Sequence, residues 1–301
     1  MDYKIDFVIP LCKNNIIIKT VIEALIEFYN PRNIYIITPE KEITNLIEKL
    51  GNYNNIKFMA EETFFLDFYK LTSETIMEWY TYIDEKSREF GWWYQQIIKL
   101  GAINQINSIS DPYIVWDADL IPLKKWDIYP TYEKPFYKFA ILQKSHKNEF
   151  NKNEYTKSMK ELINIEPAIP FEEGTFIPHH FIFHHCVIRS FLNKIINEKI
   201  QYKTWIEAIM KLSQKYYRFS EYKTIASYMN IYFPHLLHYH NFVDFGKYGI
   251  RYRESTEFIK NLKEKCLINE NGISFNNFKE YILDSNNIID ETISYIQIEH
   301  L

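Results

Sequence analysis

The sequence is poor in glycine. Its 301 residues include seven, Gly51, Gly91, Gly101, Gly174, Gly246, Gly249 and Gly272, where an average chain of this length carries about twenty. They are so scattered that neither G-x-G-x-x-G nor G-x-x-x-x-G-K occurs, which excludes both glycine-rich phosphate cradles. Any phosphate held here must be held by other means. Cysteine is scarce as well. Cys12, Cys186 and Cys266 are far apart, odd in number and without C-x-x-C spacing, so neither a disulfide framework nor a cysteine zinc site is suggested. Excess charge is missing: a formal net charge of -4 is too weak a field to gather nucleic acid or an anionic membrane. Long apolar runs are missing too. The first, in "MDYKIDFVIPLCKNN", is broken by Pro10 and is too short for a signal segment; none later approaches a bilayer-spanning length. These absences lead us to expect a soluble, intracellular, cytoplasmic protein with no membrane span and no nucleic-acid partner.

What is present is a globular composition, 47% hydrophobic and 25% charged, enough for a sizeable core. In the first 120 residues short β-rich runs alternate with helical patterns. "KIDFVIPL" (4–11), "NIYIITP" (33–39), "NIKFMAEE" (55–62) and "PYIVWDAD" (112–119) read as strands; "IIIKTVIEALIEFY" (16–29), "EKEITNLIEKL" (40–50) and "WWYQQIIKLGAINQI" (92–106) read as helices. Nearly continuous apolar strands alternating with amphipathic helices indicate an α/β protein whose mostly parallel sheet is covered on both faces. The second half is less regular. "FYKFAILQK" (136–144) and "FIFHHCVIR" (181–189) read as strands, 190–200, 205–217 and 220–232 as helices, and the sequence beyond about 245 as polar and mostly helical. With no Pro/Gly/Ser linker to mark a boundary, we expect one catalytic domain, 1–245, with a helical appendage, 246–301, packed on it.

Parallel sheets bind ligands at the carboxyl ends of their strands. Pro10 to Lys13, Thr38, Glu61 and Glu62, and the pair Asp117 and Asp119 all fall at such ends. Asp117-Ala118-Asp119 is the only D-x-D in the chain. Carboxylates two residues apart on a strand or its turn can face the same way, and hard oxygen ligands suit Mg²⁺ or Mn²⁺; an isolated D-x-D is also compatible with a strand end bearing two solvated acids. Two other enzyme classes place D-x-D after a strand. The haloacid-dehalogenase-type phosphatases put Thr or Val two residues past the second Asp, where Ile121 stands, and usually use the first strand. Polymerase-β-like nucleotidyltransferases need an upstream Gly-Ser, which this chain lacks.

Taken together, "GWWYQQIIKLGAINQINSISDPYIVWDADLIPL", "FIFHHCVIR" and "FSEYKTIASYM" resemble the GT-A-fold glycosyltransferases of a bacterial and viral family often described only as domains of unknown function. Its G-W-x-x-Q-Q-x-x-K-L helix, D-x-D, H-H-x-V and F-S-E-Y segments all occur here in order, over roughly residues 4 to 240. The resemblance implies a Rossmann-like GT-A sheet with a C-terminal helical extension, a divalent Mn²⁺ or Mg²⁺, a nucleotide-sugar donor with a UDP-sugar foremost, and a glycan or other hydroxyl acceptor. It implies that Asp119 binds the metal directly, that Asp117 binds metal or ribose, that Glu61 or Glu62 contacts the nucleobase, and that the loop with Pro10 and Leu11 lines the nucleotide. The additional His179-His180 pair and the tail depart from the family pattern and receive no family role.

Several further residues carry both a plain and a functional reading. Gln95 and Lys99, four apart, share a helix face; with Gln96 they form either an exposed polar stripe or, as the resemblance implies, contacts to diphosphate, sugar and ribose. Trp92 and Trp93 read as core. His184 and His185, read as strand neighbours, would face opposite ways, and they compete with His238 and His240 to complete a metal site. Ser220-Glu221 reads as a helix cap with an acid in the first turn, while an inverting transferase needs a carboxylate base, for which Glu221 is the candidate. The function expected is metal-dependent, inverting sugar transfer. The alternatives are a non-catalytic carbohydrate- or protein-binding relative and another metal-dependent phosphate enzyme.

Overall fold

Five-residue segments rich in β-branched, aromatic and other apolar residues form the first three strands, β1 (Asp6–Pro10), β2 (Ile34–Thr38) and β3 (Ile56–Ala60). Between them the amphipathic stretches form α1 (Ile18–Tyr29) and α2 (Glu40–Leu50). There follow α3 (Leu66–Tyr69), α4 (Ser73–Met77), α5 (Phe90–Gln105), β4 (Tyr113–Trp116), β5 (Leu120–Pro122), β6 (Lys138–Ala140), α6 (Glu154–Ile163), β7 (His180–Phe183), α7 (His185–Glu198), α8 (Trp205–Ser213) and α9 (Glu221–Tyr232). A 3-10 turn (Pro234–Leu236), β8 (His238–His240), β9 (Ile250–Tyr252), α10 (Ser255–Glu264), α11 (Phe275–Asp284) and β10 (Tyr295–Ile298) complete the order. The structure is a computed structural model that describes residues 4–13, 15–51, 53–82, 89–126, 128, 138–140, 154–166, 178–214, 219–240, 250–252, 255–265, 267–268, 271–284 and 294–298, with the backbone alone described at 138–140, 238–240, 250–252, 255 and 283–284.

The main sheet has the order β3-β2-β1-β4-β7. β1 to β4 are parallel, and β7 runs antiparallel to β4 with Trp116 opposite His180 and Tyr113 opposite Phe183. Alternate side chains sort to two faces, as the strand period requires. Phe7, Ile9, Ile34, Ile36, Ile114, Trp116 and Ile182 pack under α1, α2, α10 and α11; Val8, Ile37, Tyr113, Val115, Phe181 and Phe183 pack under α5 to α9. The result is the mixed α/β architecture expected from the sequence, a mostly parallel sheet flanked by helices. The strand order reverses direction between β1 and β4, and the crevice outside such a switch point is where open α/β sheets take ligands. No helix among the described residues is long and apolar enough to cross a membrane.

One expectation is corrected and one is extended. The strand expected at 181–189 ends at Phe183, and α7 begins at His185. Val187, Ile188, Phe191, Leu192 and Ile195 are its buried face, a helical period that a short apolar window disguises. Among the described residues the tail, expected to be mostly helical, contains α10 and α11 and, in addition, two short strands that the sequence did not suggest. β10 pairs antiparallel with β5 and parallel with β9, so part of the tail is bonded to the strand that follows the D-x-D. Of the strand expected at 136–144, residues 138–140 are extended and the remainder lie outside the described residues.

Candidate metal centre and adjoining cleft

Asp117 and Asp119 occupy the tight turn from β4 to β5, closed by the Leu120 N–H donating to the Asp117 carbonyl at 3.2 Å. Beneath the turn, the buried Trp116 donates from its indole Nε1 to the Leu120 carbonyl at 2.9 Å and stacks on Trp126. The turn is therefore fixed by packing. Because β7 lies antiparallel beside β4, the residue preceding β7 arrives at the same edge. That residue is His179, whose carbonyl accepts from the Asp117 N–H at 2.9 Å and whose Nδ1 lies 2.9 Å from Asp117 Oδ2. His179 has a φ of 62°, a left-handed conformation uncommon for a side chain other than glycine and concentrated at functional sites. One ligand atom each from Asp117, Asp119 and His179 lies within 4.8 Å of the other two, close enough to share one ion.

Behind this cluster lies a buried charge network. Lys99 of α5 reaches Asp117 Oδ1 and, at 2.7 Å, Glu221 Oε1. Tyr222 donates its hydroxyl to Asp117 Oδ1 at 2.8 Å and presents its ring to the Lys99 ammonium. Lys99 is 2% and Glu221 3% exposed. Burial alone would lower the Lys99 pKa, but the carboxylates of Asp117 and Glu221 hold it above the ordinary lysine value. For Asp117 burial opposes ionisation, and Lys99 and His179 outweigh it, so the carboxyl stays well below the usual range. Asp119 moves the other way, raised by burial and then by the charge of Asp117. Its Oδ1 is buried without a hydrogen-bond partner among the described residues. A buried carboxylate oxygen left unpaired is costly, and the set of hard oxygens with one imidazole nitrogen suits Mg²⁺ or Mn²⁺. The residues present fit such an ion.

On the same edge of the sheet, at the ends of β1 and β3, Pro10, Leu11, Cys12, Glu61, Phe90, Gly91, Tyr94, Gln95 and Ile98 line a shallow cleft. Tyr94 donates its hydroxyl to the Glu61 carbonyl at 2.6 Å and stacks on Phe90. Burial, then the neighbouring Glu62, pushes the Glu61 carboxyl up to about 7.

The sequence candidates thus fall into two groups that meet at one edge: Lys99, Asp117, Asp119 and Glu221, and Pro10, Leu11, Glu61 and Gln95. Others go elsewhere. Gln96 is buried and accepts from the Glu221 N–H at 3.1 Å, a pin between α5 and α9. Glu62 caps α2, accepting from the Glu40 N–H at 3.0 Å. Trp93 is buried and Trp92 half-buried. His184 and His185 are not brought to the carboxylate pair. They follow β7 at the opposite edge of the sheet, where the His185 N–H donates to Asp111 Oδ1 at 3.0 Å, the length of a four-residue strand, roughly 13 Å, from the turn. The cause is the antiparallel register of β7: it delivers the histidine before the strand to the site and those after it to the far edge. His238 and His240 lie in β8, beside β6. His179, passed over as a departure, is the histidine at the carboxylates. Its signal was its place just ahead of an apolar run able to pair with β4.

The fold and the cluster define a class: a mixed α/β protein with an Asp-Asp-His group at the carboxyl edge of a mostly parallel sheet. Residues 2–247 match the model of a family described as of unknown function, DUF6492, and the chain belongs to that family. No curated protein matches the sequence. Similar solved structures include an active-site mutant of LgtC (10% identity over 99% of this chain and 88% of that one, TM-score 0.47). The galactosyltransferase LgtC in complex with donor and acceptor sugar analogues is also similar (8% identity, 98% and 87%, TM-score 0.44). A third is mouse xyloside xylosyltransferase 1 in its apo form (10% identity, 87% and 92%, TM-score 0.43).

Proposed function

We propose that the chain is a cation-dependent GT-A glycosyltransferase that moves a sugar from a nucleoside-diphosphate sugar to a hydroxyl of a glycan or another acceptor. The observation that carries this reading is the convergence of Asp117, Asp119 and His179 on one point, at the carboxyl edge of the sheet where the ends of β1 and β3 also line a cleft. The order of the G-W-x-x-Q-Q-x-x-K-L, D-x-D, H-H-x-V and F-S-E-Y segments supports it, as does the lack of a glycine cradle, which leaves a cation as the natural holder of a diphosphate.

In this reading Asp117, Asp119 and His179 hold Mn²⁺ or Mg²⁺, which when bound neutralises charge on the leaving diphosphate. The chain's own groups do the rest. Lys99 and Tyr222 fix Asp117 in one rotamer and keep it ionised, so that this carboxylate is preorganised for a cation. Pro10, Leu11, Glu61 and Gln95 receive the nucleoside. Glu221 serves as a positioning residue for Lys99 rather than as the base: its Oε1 is on Lys99 Nζ, and a base must reach the acceptor hydroxyl. An inverting course would take its base from a carboxylate nearer the acceptor.

A screen of nucleotide sugars with Mn²⁺, a UDP-sugar first, tests the reading through slow donor hydrolysis. Free sugar and nucleoside diphosphate are expected from the wild type, with at least a hundredfold loss in Asp119→Ala, on the order of the loss when one transition-state electrostatic group is removed. Full activity in that variant would remove Asp119 from the site. Release of sugar 1-phosphate and nucleoside monophosphate in place of free sugar would make the protein a hydrolase of the diphosphate bond instead.

A further inference from the structure

Among the described residues, the tail beyond residue 247, outside the family match, reaches the cluster through one side chain. β10 pairs with β5, the Ile298 N–H donates to the Asp119 carbonyl at 3.1 Å, and the Leu123 N–H donates to the Ser294 carbonyl at 2.9 Å. This seats Gln297 with its amide on the cluster, Nε2 3.0 Å from His179 Nδ1 and 3.5 Å from Asp119 Oδ2. Gln297 is 1% exposed, and its Oε1 has no hydrogen-bond partner among the described residues. A polar side chain this buried is ordinarily satisfied.

We propose that Gln297 is a fourth protein ligand of the cation, donated by the C-terminal strand; this rests on the cation reading of Asp117, Asp119 and His179. His179 Nδ1 faces both Asp117 Oδ2 and the Gln297 amide. One ring nitrogen has either a hydrogen or a lone pair, so it cannot donate to the carboxylate and accept from the amide at once. A half-turn about the last side-chain bond of Gln297 exchanges its oxygen and nitrogen. The oxygen then occupies the position 3.0 Å from His179 Nδ1 and 3.5 Å from Asp119 Oδ2. In the metal-free site a hydrogen on Nδ1 can then serve both neighbours; a cation that takes the place of that hydrogen meets four lone-pair donors, two carboxylates, one imidazole and one carbonyl. A neutral carbonyl ligand beside two carboxylates is ordinary chemistry for a hard divalent ion. The tail is then part of the site, where a family-sized catalytic unit ending near residue 247 would leave the centre a ligand short.

The test is binding of Mn²⁺ alone to the 301-residue chain at pH 7.5, followed by calorimetry and by the EPR signal of free Mn²⁺, with far-UV CD and the metal-free Tm as fold controls. Gln297→Ala is expected to weaken Mn²⁺ binding ~10–100-fold with the metal-free Tm near that of the wild type. Gln297→Glu keeps a ligand oxygen, is the same size, and is expected to bind Mn²⁺ at least as tightly as the wild type. Wild-type affinity in Gln297→Ala overturns the proposal, and so does a loss in Gln297→Glu equal to that in Gln297→Ala, which would mean that the amide N–H is what matters. If the wild type binds no Mn²⁺, the cation reading itself falls and the ligand role of Gln297 with it; if the wild type binds and Asp119→Ala does not, the cation reading stands whatever Gln297 does.

Discussion

At the residue scale, the site is an arrangement of charges that only partly cancel. Lys99 is surrounded by carboxylates on both sides, Asp117 and Glu221, and the second acid of the turn, Asp119, has an oxygen with no hydrogen-bond partner among the described residues. Removing the ammonium while leaving both carboxylates is the expensive change, because a buried charge without its partner is far worse than no charge. Lys99→Met should therefore destabilise the metal-free protein by about 3–5 kcal/mol in urea unfolding. Adding Glu221→Leu should recover a substantial part, since the two sites are coupled. A loss under about 1 kcal/mol in the single variant would mean that water or a neighbour compensates. Individual residues were unevenly legible in the sequence. Asp117 and Asp119 announce themselves by chemistry and spacing. Lys99 needed the helical register that puts it one turn from Gln95. His179 and His184 are chemically equivalent in sequence, and only the direction of β7 decides which one meets the carboxylates.

At the element scale, β1, α1, β2, α2, β3, α5 and β4 were all readable, because each is long enough or strongly enough patterned for its period to stand out. The β7–α7 boundary was not, since the two elements share one apolar run and nothing in "HFIFHHCVIR" interrupts it. β10 was missed for another reason: four residues in a polar tail become a strand only through partners distant in sequence, and a local pattern does not contain them. The helix that carries Gln96 and Lys99 into place depends on a close approach. A Cβ built on Gly101 of α5 would lie 2.3 Å from Phe65 Cε1. The Phe65 ring is fully buried and set edge-on against Tyr69, Tyr94 and Trp205, so it has little room to retreat. Gly101→Ala, which in an open helix stabilises by about 1 kcal/mol, should here cost about 1–3 kcal/mol from overpacking. Equilibrium unfolding checks the sign, and a gain in stability would show that α5 can shift away from α3 freely.

At the scale of the whole molecule, the sheet brings together residues from distant parts of the chain. Pro10, Glu61, Lys99, Asp117, His179, Glu221 and Gln297 come from seven segments, and their convergence follows from parallel strands ending on one side, one antiparallel neighbour, and a tail strand returning to β5. The sequence conveyed the parallel part through its alternation of strand and helix. The antiparallel neighbour and the returning tail are tertiary choices, and they supply the histidine and the glutamine that local reading left out. The central claim is that a divalent cation at Asp117, Asp119 and His179 holds a nucleoside diphosphate. A ligand that binds the folded state alone stabilises it by about 2.7 kcal/mol at a hundred times its Kd, a rise of roughly 4 °C in Tm for a chain of 301 residues. The most direct measurement is the Tm of the wild type and of Asp119→Ala with UDP, with Mn²⁺, and with both together. The account predicts a rise with both together that exceeds the sum of the separate rises, and none of that excess in Asp119→Ala; a UDP shift that is the same with and without Mn²⁺, or that survives in Asp119→Ala, would contradict it.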